Sequence, residues 1–337
     1  MRAWQVSGHG EPRDVLRLVD IDPPALGSGQ VRIDVHAAAV GLPDVFMCRA
    51  TYPLTPSGSF VPGQEVAGEV IEVGPETAVA LGSRVMAITD FVHGHGGFAE
   101  QTIADEGNVY DIPACLTEAD AAGFLIAYQT AWIGLVQRAG LTPGDTVLVL
   151  GATGGTGSAA VQLARALGAQ VIGVVNGSAK ATLCRSLGAT EVIDRSKEVV
   201  SDSVRRITNG RGATLVYDPV GGAIANDALK CVANGGQFLL VGFASGAWPT
   251  IDAHSLVVGN FSVVGVYAGA CSRAERVEMV TELASLVAQG ALRPEVTRRA
   301  FDDLPAALSE VAAATAQGRV VAVRQDEGGT GGLGFRD

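Results

Sequence analysis

The sequence lacks the features that mark membrane-spanning, disulfide-rich and nucleic-acid-binding proteins. No apolar run reaches the roughly 20 residues of a transmembrane helix. The five cysteines are scattered without a C-x-x-C pair, which favours free thiols over a disulfide framework or a structural zinc site. Arg and Lys number 24 against 35 Asp and Glu, and this net charge of −11 argues against binding to nucleic acid or anionic membranes. Since no charged segment followed by an apolar core opens the chain, we expect no signal peptide and a cytoplasmic location.

The length and composition indicate a globular protein with two domains. The 337 residues are 47% hydrophobic and 18% charged, and a domain usually has roughly 100–200 residues. In the first part of the chain, glycine and proline turns separate short apolar or alternating runs, which predict strands at residues 31–36, 66–73 and 84–88. Closely spaced strands of this kind indicate a mostly antiparallel β-domain.

From residue 119 onward the pattern changes to alternating strands and helices. The predicted strands are at residues 146–150, 170–175, 215–217, 238–241 and 262–266. The predicted helices, each ended by a glycine, are at residues 158–167 and 179–187. This order predicts an α/β domain with a doubly wound parallel sheet.

The C-terminal part is predicted to contain two helices, at residues 277–289 and 306–317, and a strand at residues 320–323. The spacing of its apolar residues predicts the buried face of the first helix. The members of this face are Val277, Val280, Ala284 and Val287.

A glycine-rich turn follows the strand predicted at residues 146–150 and precedes a helix. After Gly151 it comprises Ala152, Thr153, Gly154, Gly155, Thr156 and Gly157. Glycines let an anion approach the backbone, and the N–H groups at a helix N-terminus attract negative charge. No lysine follows the last glycine, so a Walker phosphate loop does not fit. The turn predicts a site for the pyrophosphate of a dinucleotide; the alternative is a turn that only packs.

The end of the next strand indicates which dinucleotide binds. Proteins that bind NAD usually place Asp or Glu there, on the ribose 2′-hydroxyl. Here the strand is followed by Asn176, Ser178 and Lys180, and Arg195 follows the third strand. Two cations and a hydroxyl suit a 2′-phosphate, the alternative being that both cations are solvated surface charges. We therefore predict NADPH rather than NADH as the cofactor.

Several short motifs together resemble those of one family. They are Asp44 with residues 49–53 (RATYP), then 62–68 (PGQEVAG), 97–100 (GFAE), 129–131 (QTA), 152–157, 218–222 (DPVGG) and 318–319 (GR). With these motifs the chain resembles the zinc-independent, zeta-crystallin-like quinone oxidoreductases of the medium-chain dehydrogenase/reductase superfamily. The resemblance implies a GroES-like catalytic domain of residues 1–122 and 269–325, a Rossmann domain of residues 123–268 and a flexible tail at 326–337. It also implies a homodimer that pairs the edge strands near residues 262–266.

The resemblance implies roles for individual residues. Tyr52 would hydrogen-bond the substrate oxygen, the alternative being a packed turn residue. Thr130 would lie near the nicotinamide, the alternative being packing on the helix surface. Gln64, where relatives carry a zinc ligand, would hydrogen-bond in the site or only fill space. Arg319 would approach the cofactor phosphates, the alternative being a surface position, and Asp44 would support a loop. Val220 would contact the cofactor, and the residues implied to flank the nicotinamide are Val241, Gly242, Phe243, Val266 and Tyr267. We expect the shape of the pocket to depend on Leu42, Phe46, Tyr52, His93, Phe98 and Tyr267.

The resemblance also implies chemistry without a metal. Zinc-dependent relatives carry Cys near the position of Gly41 and His at that of Gln64, and the pair His93 and His95 lacks a third ligand. Quinones and enones spread the developing charge over a conjugated system, so hydrogen bonds can replace a Lewis acid. The predicted activity is NADPH-dependent hydride transfer to a quinone or another α,β-unsaturated carbonyl, a small-molecule substrate. The alternatives are an enoyl reductase for a thioester or polyketide-type substrate, and a cofactor-binding protein with vestigial activity.

Overall fold

The structure, a computed structural model, describes residues 1–324, so the predicted tail at 326–337 lies outside the described residues. The N-terminal strands are β1 (Arg2–Val6), β2 (Leu16–Asp20), β3 (Gln30–Val40), β4 (Glu65–Val73), β5 (Arg84–Ile88), β6 (Gln101–Asp105) and β7 (Val109–Asp111). The helices among them are α1 (Pro12–Val15), α2 (Leu42–Cys48) and α3 (Glu118–Ala122). The three predicted strands are confirmed as β3, β4 and β5, whereas the short helices were not predicted.

The middle of the chain forms a six-stranded parallel sheet with helices on both faces. Its strands are β8 (Thr146–Leu150), β9 (Gln170–Val175), β10 (Glu191–Asp194), β11 (Ala213–Asp218), β12 (Val232–Leu240) and β13 (Ser262–Gly265), in the order β10-β9-β8-β11-β12-β13. The helices of this region are α4 (Leu125–Trp132), α5 (Gly155–Ala166), α6 (Ser178–Ser186), α7 (Val200–Ile207), α8 (Gly222–Ala228) and α9 (Ala253–Gly259). The predicted doubly wound, Rossmann-type sheet is confirmed, and β8 and β9 have the predicted bounds.

The packing of β8 explains its continuous apolar sequence. Val147 and Val149 belong to one apolar cluster, with residues of α4 and α5. Leu148 and Leu150 belong to another, with residues of α7 and α8. All four side chains are 0% exposed. Because both faces of the strand are covered, every position is apolar and the alternation typical of a half-buried strand is absent.

The C-terminal segment returns to the N-terminal sheet. It contains α10 (Arg273–Ala288), β14 (Val296–Ala300), α11 (Leu304–Ala312) and β15 (Arg319–Val323). Strand β15 pairs antiparallel with β3, and the resulting seven-stranded sheet has the order β14-β15-β3-β4-β5-β7, with β6 also on β3. We call it the mixed sheet, since only β14 and β15 are parallel within it. None of the helices in residues 1–324 has the length and apolarity needed to cross a bilayer.

Two predictions for the C-terminal helices are wrong. Val277 is 50% exposed, and Ala284 is only half-buried. The buried face of α10 consists of Met279, Val280, Leu283 and Val287. The prediction was based mainly on the valines. The larger side chains of Met279 and Leu283 determine which face of α10 is buried. The helix predicted to end at residue 317 ends at Ala312, because Ala314 has a left-handed φ of 53° that a helix cannot contain.

Candidate active site

The predicted glycine turn connects β8 to α5 at the carboxyl edge of the parallel sheet. Gly151 has a φ of 60°, and its carbonyl oxygen accepts a hydrogen bond from the N–H of Gly154 at 2.9 Å. A Cβ on Gly157 would lie 2.2 Å from the oxygen of Gly151, so only glycine lets the helix pack this closely on the turn. Ala152 and Thr153 are buried beneath the turn, whereas Gly154 is exposed.

The N-terminus of α5 has the geometry of an anion site. The first N–H groups of a helix, here those of Gly155, Thr156 and Gly157, have no acceptor within the helix and carry partial positive charge. Gly154, which has no side chain to cover them, is exposed directly before them. These residues fit the pyrophosphate of a dinucleotide.

The segment before β15 lies against this turn. The N–H of Gly318 donates to the carbonyl oxygen of Thr153 at 2.9 Å. A Cβ on Gly155 would lie 2.9 Å from Cδ of Arg319, so the arginine stem follows the start of α5. The Nη2 atom of Arg319 contacts the carboxylate of Glu65 at 3.2 Å. The structure therefore brings Arg319 to the turn, with its charge held by a buried carboxylate.

Glu65 is a residue of this site to which the sequence gave no role. It is 0% exposed, and it accepts the N–H of Ile126 at 3.0 Å, at the start of α4. Burial raises the pKa of Glu65 to about 7, and the charge of Arg319 opposes this change. A signal was present in the sequence, because Glu65 directly precedes the apolar run Val66-Ala67-Gly68, and a glutamate buried with such a run needs a partner.

Asp44 holds together the two segments that carry Tyr52 and Gln64. Its carboxylate accepts the N–H of Gly41 at 2.8 Å, at the start of α2, and the N–H of Gly63 at 3.0 Å, just before β4. Burial raises the pKa of Asp44 to about 6. The side chain thus has the loop-supporting geometry expected from the sequence.

The structure brings Tyr52 and Gln64 together. Burial raises the pKa of the half-buried Tyr52 above its ordinary value, a side-chain hydrogen bond with Gln64 lowers it, and nearby Tyr267 and Asp44 raise it. Gln64 is only 8% exposed, whereas Tyr267 is 63% exposed. A phenol has an ordinary pKa of about 10, and burial raises that of Tyr52, so its hydroxyl is protonated at neutral pH and can donate a hydrogen bond.

Thr130 lies on α4, one turn after Ile126. Its hydroxyl donates to the carbonyl oxygen of Ile126 at 2.7 Å, while the N–H of Ile126 is the group held by Glu65. The buried carboxylate therefore holds the start of the helix, and the carbonyl oxygen of Ile126 orients the Thr130 hydroxyl. The lone pairs of the hydroxyl oxygen remain available to accept a hydrogen bond from a ligand.

The loops after β11, β12 and β13 meet at the same sheet edge. The side chain of Asp218, at the end of β11, accepts the N–H of Val220 at 2.9 Å, and its carbonyl accepts the N–H groups of Val241 and Gly242. Val266 is buried after β13. The structure thus brings together Val220, predicted to contact the cofactor, and the residues predicted to flank the nicotinamide, which are Val241, Gly242, Phe243, Val266 and Tyr267. Ligands of open α/β sheets bind at this edge.

The predicted basic pair lies at the end of β9. The N–H of Arg195 donates to the carbonyl oxygen of the last residue of β9 at 2.9 Å. Lys180 lies in the first turn of α6, which begins at Ser178, and Asn176 is exposed just before it. Burial lowers the pKa of Lys180, and the charge of Arg195 lowers it further, so the two cations are close together. The Nζ atom of Lys180 donates to the carbonyl oxygen of Ala314 at 2.8 Å, a partner that the sequence did not reveal.

Two residues expected to shape the pocket lie elsewhere: Phe98 is in the core and His93 is on the surface. Phe98 is 0% exposed and packs against Gly63, so it is a core residue. His93 is exposed and its Nδ1 lies 2.5 Å from Oδ1 of Asp90, a hydrogen bond that raises the pKa of His93. Across residues 1–324, no three His, Cys, Asp or Glu side chains gather as metal ligands would.

Comparison with known proteins decides the family. Two family models match: the alcohol dehydrogenase GroES-like domain over residues 27–114, and the zinc-binding dehydrogenase over residues 155–286. The quinone oxidoreductase of Pseudomonas aeruginosa is 33% identical over 328 residues, which are 94% of this chain and 98% of that protein. The chain belongs to the quinone oxidoreductase branch of the medium-chain dehydrogenase/reductase superfamily. It is an oxidoreductase.

Two further comparisons agree with this family. The quinone oxidoreductase-like protein 2 homolog of Nematostella vectensis is 41% identical over 250 residues, which are 74% of this chain and 67% of that protein. A mycobacterial protein solved in complex with NADPH superposes with a TM-score of 0.88 at 31% identity, over 96% of this chain and 100% of that one. The family resemblance and the fold class inferred from sequence are therefore confirmed.

Proposed function

We propose that this oxidoreductase transfers a hydride from NADPH to a quinone or another α,β-unsaturated carbonyl, without a metal. The observation that carries the proposal is that the glycine turn and the basic pair lie at the carboxyl edge of the parallel sheet, and that Tyr52, which pairs with Gln64, interacts with Tyr267 from this edge. The turn fits a pyrophosphate, Lys180 and Arg195 fit a 2′-phosphate, and Tyr52 with Gln64 fits a carbonyl oxygen. The relative solved with NADPH supports this choice of cofactor.

The preference for NADPH rests on the charges at the end of β9. The nearby carboxylate of Asp194 accepts the N–H groups of Gly177 and Ser196, at 2.8 and 3.1 Å, and is therefore engaged by the loop. Lys180 and Arg195 supply two positive charges beside it. The comparison of kcat/KM with each cofactor tests this point, and a clear preference for NADH would refute it.

The side chains of the site position the acceptor and stabilise its charge. A bound nicotinamide supplies the hydride. Tyr52 donates its phenolic hydrogen to the acceptor oxygen, where negative charge develops as the hydride arrives. Gln64 holds the phenol in place through their hydrogen bond. Thr130 presents its oxygen lone pairs to the nicotinamide from α4.

Metal-free chemistry is proposed from the residues at two positions. A Cβ at Gly41 would lie 3.1 Å from the guanidinium of Arg319, so the place of a cysteine ligand is occupied by a cation. Gln64 directs its Nε2 toward the sulfur of Met47, at 3.9 Å. A conjugated acceptor delocalises the developing charge and needs only hydrogen bonds. Metal analysis tests this proposal, since stoichiometric zinc whose removal abolishes turnover would contradict it.

The acceptor class is tested by NADPH oxidation with 1,4-quinones, alkyl enones and enoyl thioesters. Turnover with quinones or enones supports the proposed activity. Turnover confined to enoyl thioesters identifies an enoyl reductase instead. Binding of NADPH without turnover on any acceptor identifies a protein with vestigial activity.

A homodimer paired along β13 is part of the proposal. This strand is an edge of the parallel sheet, and Val257 and Val258 on the preceding α9 are 79% and 71% exposed. An open strand edge beside exposed apolar side chains favours pairing with a second copy. Light scattering should give twice the chain mass for the wild type, and Val258→Glu should shift it toward the monomer.

Domain boundaries and a compartment are also part of the proposal. A catalytic domain of residues 1–122 and 269–325 is supported by the pairing of β15 with β3, and a Rossmann domain of residues 123–268 by the parallel sheet. The five free cysteines support a reducing compartment such as the cytoplasm. Limited proteolysis and cell fractionation test these two points.

A further inference from the structure

The side chain of Lys180 is bound to a part of the chain that lies 134 positions further on. Its Nζ atom donates a hydrogen bond to the carbonyl oxygen of Ala314 at 2.8 Å. Lys180 is on α6, which packs with the parallel sheet, whereas Ala314 follows α11, which packs with the mixed sheet. The contact therefore connects the proposed 2′-phosphate site to the other sheet of the protein.

Ala314 ends α11 in a backbone conformation that glycine usually adopts. Its N–H donates to the carbonyl oxygen of Val311 at 3.1 Å. The N–H of Thr315 donates to the carbonyl oxygen of Glu310 at 3.2 Å. These two bonds form a Schellman motif, in which the residue at the position of Ala314 is left-handed, and its φ is indeed 53°. The left-handed residue turns the chain so that its carbonyl meets Lys180.

The contact with Ala314 offsets a repulsion between two cations. Burial lowers the pKa of Lys180, and the charge of Arg195 lowers it further, so the two cations are close together. A lysine side chain without an anchor would move its charge away from Arg195 and into water, because like charges repel and the side chain is flexible. The carbonyl groups after the last turn of a helix carry partial negative charge, which is favourable beside an ammonium. Ala314 therefore keeps the charge of Lys180 next to that of Arg195.

The anchored ammonium of Lys180 can still bind a phosphate. An ammonium has three N–H donors, and the bond to Ala314 uses one of them, which leaves two for phosphate oxygens. A side chain that is already fixed loses less conformational freedom on binding than a mobile one does. The contact with Ala314 should therefore strengthen phosphate binding by Lys180.

We propose that Ala314 is a positioning residue for cofactor selection, because its carbonyl fixes the Lys180 ammonium where, with Arg195, it binds the 2′-phosphate of NADPH. This inference rests on the proposed function, since it concerns the cofactor of that reaction. NADH carries a hydroxyl group in place of the 2′-phosphate, so the contact with Ala314 favours NADPH alone. The preference between the two cofactors then depends on a residue outside the parallel sheet and its helices.

The test measures binding of 2′,5′-ADP and 5′-AMP, which differ only in the 2′-phosphate, by titration calorimetry. Ala314→Pro must move the carbonyl, because the proline ring fixes φ near −65°, whereas the matched control Ala314→Gly keeps the left-handed turn. We expect the ratio of the affinities for 2′,5′-ADP and 5′-AMP to fall about three- to tenfold in Ala314→Pro and to change by less than about twofold in Ala314→Gly. A general disturbance of the segment would weaken both ligands and leave the ratio unchanged.

The same substitution in a Lys180→Met background shows whether Ala314 acts through the lysine. There, Ala314→Pro should not lower the affinity ratio any further. An unchanged ratio for Ala314→Pro alone, or an equal fall with and without Lys180, would overturn the inference. A higher ratio would also overturn it, because the carbonyl would then compete with the phosphate. If the wild type itself binds 2′,5′-ADP no more tightly than 5′-AMP, the proposed preference for NADPH fails, and this inference fails with it.

Discussion

Replacing Glu65 by glutamine should change how the stability of the protein depends on pH. The carboxylate is 0% exposed, and burial raises its pKa from 4.5 to about 7. The folded protein therefore binds a proton at Glu65 more tightly than the unfolded chain does. The stability contributed by this group is complete below a pH of 4.5 and is lost as the pH rises through about 7.

The size of the effect follows from the pKa difference of about 2.5 between the folded and the unfolded chain. With ~1.36 kcal/mol for each pH unit, the unfolding free energy should fall by at most about 3 kcal/mol as Glu65 ionises. The pKa of the buried Asp44, raised from 3.8 to about 6, changes stability in the same direction at lower pH. A glutamine at position 65 can still accept the N–H of Ile126 but cannot ionise, so it removes only the part that belongs to Glu65.

Urea denaturation between about pH 5 and about pH 8 measures this difference. The unfolding free energy of Glu65→Gln minus that of the wild type should rise by about 2–3 kcal/mol over this range, on top of any constant change from the lost contact with Arg319. Glu69→Gln, which alters an exposed glutamate on the same strand, is the matched control and should show no such rise. A difference that stays constant with pH for Glu65→Gln would refute the reasoning, because the buried carboxylate would then be ionised throughout.

Three further substitutions probe the cofactor and acceptor sites. Gly157→Ala should destabilise the protein by ~1–3 kcal/mol and weaken dinucleotide binding in calorimetry, because the new Cβ would meet the oxygen of Gly151; unchanged binding would contradict the turn as a phosphate site. Lys180→Met should raise the KM for NADPH by roughly 10- to 100-fold while barely changing that for NADH, and equal changes in both would disprove the 2′-phosphate contact. Tyr52→Phe should lower kcat by roughly 10- to 100-fold at an unchanged thermal midpoint, and a loss below about twofold would remove Tyr52 from the chemistry.

The fold could be predicted where the sequence pattern is local. Strands β8 and β9 are apolar runs bounded by turn residues, so both their existence and their bounds followed from the chain alone. Helix α2 was not predicted because its start depends on a hydrogen bond from the N–H of Gly41 to the side chain of Asp44. The periodicity of apolar residues does not indicate such a bond. The predicted face of α10 was right for Val280 and Val287 but wrong for Val277 and Ala284, because Met279 and Leu283 bury more apolar surface there.

The candidate site was predictable in its residue types but not in its partners. The glycine turn and the basic pair were visible as local motifs. Glu65 and Arg319 are 254 positions apart, and Lys180 and Ala314 are 134 apart. Such contacts form because the C-terminal strands pair with the mixed sheet. The spacing of residues along the chain does not predict that pairing. The sequence did not reveal the stacking of the Phe46 and Phe243 rings, whose centroids are 5.2 Å apart, for the same reason.

The segment between α11 and β15 connects the part of the candidate site proposed for the cofactor with the part proposed for the acceptor. Its Ala314 carbonyl accepts from Lys180, and its Gly318 N–H holds the glycine turn. Arg319, the first residue of β15, lies along the start of α5 and pairs with Glu65. Since β15 is fixed in the mixed sheet by β3, these contacts couple the carboxyl edge of the parallel sheet to the mixed sheet, whose strand β4 directly follows Gln64. We therefore expect a change in this segment to alter both dinucleotide binding and turnover of the acceptor.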